Sequence, residues 1–459
     1  MKSPATALAV SLLACATAKP APEAPPRAER GLGISVETEK LDNGLRVVLS
    51  RESTVPTVTV GVYYGIGFRI EPRDRTGFAH LFEHMMFQGS QNLGKMQFIK
   101  LVQSNGGVLN GSTRFDFTNY FEIVPSNVLQ TVLWAEADRM RGLAVTEENL
   151  KNQQGVVSSE VRVNVLNQPY GGFPWLDMPQ AANTNWYNAH NFYGDLKDIQ
   201  AATLQDVQQF FKTYYTPSNA VLVISGDFEP AQARAWVKQY FAPIPSGPRP
   251  ALPDIAEPRQ EQEKRVTQTD KLATRPGLAL GYHLPARGTP EWYAFIMLEQ
   301  IIAEGHDSLL YQAVVQKRGL SAEVNAAINE LGSPFNIKGP VLLDVWFFHD
   351  KEKSADEILA ACDEEIEKLR TAPVDAAAFA RAKVKMRSAF YGLLESTFGF
   401  GRADLLASYA LFDEPPQKIN DLEGEFAKVT PELMQKTAQE WLRKGNRTVI
   451  VLEAGGGKP

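Results

Sequence analysis

Cysteine is nearly absent: the 459 residues hold Cys15 and Cys362 alone. Two thiols exclude a disulfide framework and any zinc-ribbon or iron–sulfur site built from several thiolates. An excess of basic charge is missing as well. Lys and Arg total 47 against 53 Asp and Glu, a net charge of −6. That balance argues against a nucleic-acid binder, because neutralising phosphates needs a basic face. Histidine is scarce, at six residues, so any cluster of imidazoles is informative. What is present is globular: 44% hydrophobic and 22% charged residues rule out wholesale disorder and a collagen-like fibre. The length suits two to four domains of about 100–200 residues each, so an internal division is expected.

The apolar run from Ala5 to Ala14 is shorter than the ~20 residues a permanent membrane span needs. With Lys2 before it and small residues at its end, it reads as a secretory signal, residues 1–14. Leu12-Leu13-Ala14-Cys15 resembles a bacterial lipobox, which makes Cys15 the expected lipidated first residue of the mature chain. An ordinary cleaved signal with an incidental cysteine is the alternative. Residues 15–35, rich in Ala and Pro up to Arg30, read as a flexible tether. Ala16 rather than Asp follows the cysteine, so the inner-membrane retention signal is missing. The expected location is the bacterial envelope, as a periplasm-facing lipoprotein of the outer membrane that meets lipid only through its anchor. Cys362, in an apolar helical pattern, reads as an inert core thiol.

Asn43-Gly44 between apolar residues signals a hairpin turn, and the β-branched run Val55 to Tyr64 a strand. Helical spacing covers Gly77–Phe87, Val128–Arg141, Glu147–Val165 and Leu204–Tyr215. Pro243, Pro245, Pro248, Pro250, Pro253 and Pro258 then cluster. The reading is an N-terminal domain over 36–242, a Pro-rich linker over 243–268 and a C-terminal domain over 269–455. The second part echoes the first. Asn219-Ala220-Val221-Leu222-Val223 returns as Asn446-Arg447-Thr448-Val449-Ile450, and Phe82-Glu83-His84 as Leu298-Glu299-Gln300. These echoes suggest duplication of one α+β unit, with a chance match of apolar patterns still open.

The strongest chemical signal is His80-Leu81-Phe82-Glu83-His84. On a helix, i and i+4 share a face, so both imidazoles can reach one ion. Glu83, on the same side, can deprotonate a water. The order inverts His-Glu-x-x-His, and chance would produce it in about 0.005 of such chains. Imidazole and carboxylate donors suit Zn²⁺, one per chain, but a catalytic zinc usually takes three protein ligands. Glu160, in a helical stretch of small and apolar neighbours, is the candidate third ligand; a surface or salt-bridged carboxylate is the alternative. His190, His283, His306 and His349 read as solvated or core residues.

The sequence resembles the pitrilysin-like zinc peptidases, the family of insulin-degrading enzyme and the mitochondrial processing peptidase. The resemblance is carried by Gly77 through Ser90, by Gly106-Gly107-Val108-Leu109-Asn110-Gly111-Ser112-Thr113, by the Glu160 segment and by Pro217-Ser218-Asn219 with Val223 to Asp227. It implies an α+β fold of two homologous units, each a mainly antiparallel sheet with helices packed on one side, facing each other across a chamber. It implies His80, His84 and Glu160 as metal ligands and Glu83 as general base. It implies a zinc-dependent endopeptidase acting on peptide substrates inside a clamshell, with Asn110 and Gly111 binding the substrate as an added strand. Gly111 stands where Ala is commoner, which predicts a looser edge. Gln153 replaces a Glu that tunes the site without binding metal, which predicts reduced turnover. Ile296 and Gln300 occupy the histidine positions of the second copy, so that copy is expected to hold no zinc. Val315 and Ala322 stand where active relatives carry an Arg and a Tyr; Arg318 could substitute only after a register shift. The expectation is a second homologous subunit supplying that pair, with a homodimer as the alternative. Some relatives are non-catalytic assembly subunits, and the intact His80, Glu83, His84 and Glu160 set argues against that role here.

Overall fold

The structure, a computed structural model, describes residues 32–456. The expected signal, Cys15 and the tether up to residue 31 lie outside the described residues. The first sheet is built from β1 (Glu37–Lys40), β2 (Arg46–Arg51), β3 (Thr57–Tyr64), β4 (Val108–Thr113), β5 (Thr118–Pro125) and β6 (Ala220–Gly226), in the order β1-β2-β6-β3-β5-β4. Only the β2–β6 pairing is parallel. The second sheet holds β7 (Lys264–Asp270), β8 (Gly277–His283), β9 (Asn325–Ile328), β10 (Leu342–Phe348) and β11 (Arg447–Ala454), ordered β7-β11-β8-β10-β9. There β7–β11 is the parallel pair.

Strand for strand, β7, β11, β8, β10 and β9 repeat β2, β6, β3, β5 and β4 in order and direction. A side chain marks the repeat. Asn219 Nδ2 donates to Gly65 O and Tyr214 O at 3.2 and 3.0 Å, just before β6. Asn446 Nδ2 donates to His283 O and Trp441 O at 2.9 and 2.7 Å, just before β11. Each buried amide ties the end of a helix to the end of the neighbouring strand, satisfying carbonyls that would otherwise be orphaned.

Alternation along β3 assigns its two faces. Val58, Val60, Val62 and Tyr64 pack with the helices of their own unit. Tyr63, with Val48 and Val223, joins a second core made mostly of residues from the other unit. That opposite face is covered by the helix Ala376–Leu411, whose Asp404 accepts a hydrogen bond from Tyr63 Oη at 2.8 Å. Conversely, Phe173 and Met178 of the first unit pack on Ala279, Ile450 and Leu452 of the second sheet. Each sheet thus carries its own helices on one side and a segment of the other unit on the other.

Two boundaries differ from expectation. β7 opens at Lys264, inside the 243–268 segment expected as linker. Its sequence is charged and mostly exposed, so no apolar alternation announces it. The helix expected over Glu147–Val165 is α-helical from Glu147 to Val161 and widens to a π-helical turn over Arg162–Leu166. Such turns often stand beside functional residues, and this one follows Glu160 directly. Cys362 is buried in the helix Ala355–Thr371, where desolvation pushes its thiol far above the usual range, so it stays protonated.

Candidate metal centre

The helix Phe78–Met85 presents two faces. Phe78, Leu81, Phe82 and Met85, at i, i+3, i+4 and i+7, are fully buried. Phe82 stacks on Phe210 and Tyr215 with centroids 4.9 and 5.0 Å away. Each such side chain contributes about 1.5–3 kcal/mol of burial, which seats the helix and turns His80, Glu83 and His84 the other way. The start of the helix is capped from outside. Glu71, fully buried, accepts from Gly77 N at 2.8 Å and from Ala79 N, which satisfies two of the helix's orphan amides.

Among the described residues, His80, His84 and Glu160 form a group whose ligand atoms all lie within 4.8 Å of one another. His84 Nε2 is 3.1 Å from Glu160 Oε2 and 3.3 Å from His80 Nε2, and His80 Nε2 is 3.5 Å from Glu160 Oε1. Atoms about 2.0–2.2 Å from a tetrahedral zinc lie roughly 3.3–3.6 Å apart, so the group fits that ion in both spacing and donor type. Hydrogen bonds from His80 and His84 hold the Glu160 carboxyl far below the usual range, against the opposing effect of burial. An ionised carboxylate between two imidazoles is the state a divalent cation requires.

Glu83 is half-buried, and Thr113 Oγ1 on β4 donates to its Oε2 at 2.8 Å. β4 ends the first sheet. Asn110 is exposed on it, and its Oδ1 accepts from Gly111 N at 3.0 Å. A Cβ on Gly111 would lie 3.1 Å from Tyr120 Cδ1 and 3.4 Å from Glu83 Cγ, so the bare position clears the stem of Glu83. Gln153 is buried and donates to Asn152 Oδ1 at 2.7 Å. In the second unit Ile296 and Gln300 are buried, and Gln300 Nε2 donates to Glu299 Oε2 at 2.6 Å. Arg318 is exposed and paired with Glu364. His283 and His349 are buried, His190 is half-buried and His306 is exposed.

Two residues at the site were not singled out by the sequence: Thr113, and Tyr193, whose Oη donates to Glu160 Oε1 at 3.3 Å. A threonine in a strand and a tyrosine in an aromatic stretch carry no distinguishing spacing.

Known proteins agree with this architecture. The sequence matches the family profile described as insulinase (peptidase family M16) over residues 46–170 and the one described as peptidase M16 inactive domain over residues 201–386. A curated relative, the zinc protease PqqE of Helicobacter pylori, is 27% identical over 435 residues, covering 91% of this chain and 92% of its own. The crystal structure of a protease from Helicobacter pylori superposes with a TM-score of 0.84 at 26% identity, over 92% of this chain and 100% of that one. A peptidase M16 inactive domain from Pseudomonas fluorescens has the same fold, with a TM-score of 0.79 at 18% identity over 92% of this chain and 98% of its own.

Proposed function

The chain belongs to the peptidase M16 family, and from that premise we propose that it is a zinc-dependent endopeptidase hydrolysing peptides or unfolded segments within a clamshell chamber. The observation that carries the reading is the convergence of His80, His84 and Glu160 beside Glu83, on a helix capped at its start and packed along its back. His80, His84 and Glu160 would hold the ion. Zinc bound there supplies Lewis acidity to the scissile carbonyl and lowers the pKa of a water to about 7. Glu83 takes the proton of the attacking water and delivers it to the leaving amine. Thr113 fixes one oxygen of Glu83, leaving Oε1 for that transfer. Asn110 and Gly111 lie on the terminal strand β4, where an extended substrate can add as a further strand and bond through its main chain.

A partner chain completes the reading. Val315 and Ala322 offer no side-chain donor, and Arg318 is paired within its own unit. We therefore place the chain as the zinc subunit beside a second, homologous chain that supplies Arg and Tyr. The deciding experiment measures zinc content and cleavage of a random peptide mixture by the purified chain, alone and with such a relative added. Glu83→Gln should keep zinc and lose hydrolysis; near-normal turnover in that variant would sink the general-base assignment. Full turnover by the chain alone would sink the two-chain reading and leave a homodimer.

For location we propose a lipid-anchored protein of the cell envelope. Among the described residues no helix is long and apolar enough to cross a membrane; the attachment we propose is a lipid on Cys15. Cys15→Ser should move the chain from the membrane to the soluble fraction, and a wholly soluble wild type would refute the anchor.

A further inference from the structure

We propose that Tyr193 is a positioning residue of the metal centre, its ring fixing the orientation of His80 and its hydroxyl fixing Glu160. The inference rests on the zinc-binding reading of the site and adds to it how two of the ligands are held.

A ligating imidazole ordinarily donates its second nitrogen to a fixed acceptor, and that bond sets the tautomer and the ring plane. His80 departs from this pattern: its Nδ1 is buried and has no hydrogen-bond partner. Its ring plane is instead set by packing. The Tyr193 ring meets it edge to face, with centroids 5.1 Å apart and planes at 79°. Phe192 lies beside Tyr193, its ring centroid 5.3 Å from that of His80. Tyr193 also bonds Glu160 through its hydroxyl at 3.3 Å, so one side chain touches both ligands. It is 7% exposed.

The backbone is built to bring Tyr193 to this place. It precedes Gly194, and that pair lies against the start of the helix carrying the histidines. A Cβ on Gly77 would stand 2.4 Å from Tyr193 O, and one on Gly194 would stand 2.3 Å from Gly77 N. Both glycines have positive φ, +81° and +67°, which larger residues rarely adopt. Asp195 N donates to Thr76 Oγ1 at 2.8 Å and locks the contact. Loop and helix touch main chain to main chain, so the distance from Tyr193 to His80 has little freedom.

Removing a group that orients a ligand typically weakens metal affinity about 10–100-fold. The test is zinc affinity by competition with a chromophoric chelator, on the full chain, for wild type, Tyr193→Phe and Tyr193→Leu. The Tm of each metal-free protein is read alongside. Tyr193→Phe keeps the ring and should bind about 10-fold more weakly at an unchanged metal-free Tm. Tyr193→Leu, lacking ring and hydroxyl, should bind more weakly still. Wild-type affinity in Tyr193→Phe would overturn the proposal. So would a loss that follows an equally lowered metal-free Tm, since that marks a purely structural role. A wild-type chain that takes up no zinc would refute the reading of the site instead. None of these outcomes needs turnover, so the test holds whether or not the chain works alone.

Discussion

A carboxylate that moves a proton has to present one oxygen in one place, and here a single hydroxyl arranges that for Glu83. The Thr113 Oγ1 bond at 2.8 Å restricts the side chain to orientations that keep Oε2 against β4. The strand that would carry the substrate is thus also the strand that holds the base, with Gly111 and Thr113 both next to Glu83. Thr113→Val keeps the shape and deletes the donor. Its kcat should fall about 10-fold, near 1.4 kcal/mol, close to the lower end of the roughly 1.5–3 kcal/mol that a hydrogen bond to a charged group contributes. KM and zinc content should stay put, and Thr113→Ser should recover most of the rate. Steady-state kinetics on one peptide checks this, and an unchanged kcat in Thr113→Val would refute it. The helix pattern alone was enough to read His80, Glu83 and His84 onto one face, because i, i+3 and i+4 have a single geometric meaning there. Glu160 was ambiguous from spacing, since a lone Glu in a helix has many fates. Thr113 and Tyr193 could not be read at all, because their roles depend on which strand and loop fold back onto the helix.

At the scale of elements, the legible parts were those whose own sequence states their partner. β3 and β6 announce themselves by β-branched apolar runs, since both faces of these strands are covered. The Asn219 and Asn446 echo could be read as a repeated motif, and the reason for it is structural: each amide links a helix end to a strand end in its own unit. β7 was hidden because Lys264-Arg265-Val266-Thr267-Gln268-Thr269-Asp270 sits at a sheet edge and is held by main-chain pairing to β11 rather than by burial. The helix Ala376–Leu411 was hidden for a different reason. Its sequence contains Gly392, Gly399 and Gly401, which read as breaks, and much of the surface that supports it belongs to the other unit. Contacts with β3 and β6, and the bond from Tyr63 to Asp404, supply what local propensity lacks.

Over the whole molecule, duplication followed by divergence leaves a trace that pH can read. Glu299 in the second copy corresponds to Glu83 in the first, but there Ile296 and Gln300 have replaced the two imidazoles and the carboxyl is buried. Desolvation, then the nearby Glu304 charge, pushes Glu299 up to about 8 from an ordinary 4.5. Asp344, buried on β10, and Glu330, half-buried just past the end of β9, are raised in the same direction, mainly by desolvation. A folded state that keeps protons which the unfolded chain releases binds more of them between those pKa values. Stability then falls as pH rises through that window. For Glu299 the contribution is intact below about 4.5 and is lost progressively up to about 8, at no more than about 1.4 kcal/mol per pH unit. Gln at this position stays neutral and can still accept from Gln300 Nε2. The Tm of the wild-type chain should therefore drop more between pH 5 and pH 8 than that of Glu299→Gln, and the variant should be the more stable of the two at pH 8. Calorimetry of the metal-free proteins at both pH values measures this directly. Parallel slopes would mean that Glu299 is ionised in the folded chain, with its charge balanced by Lys385, the cation acting on it.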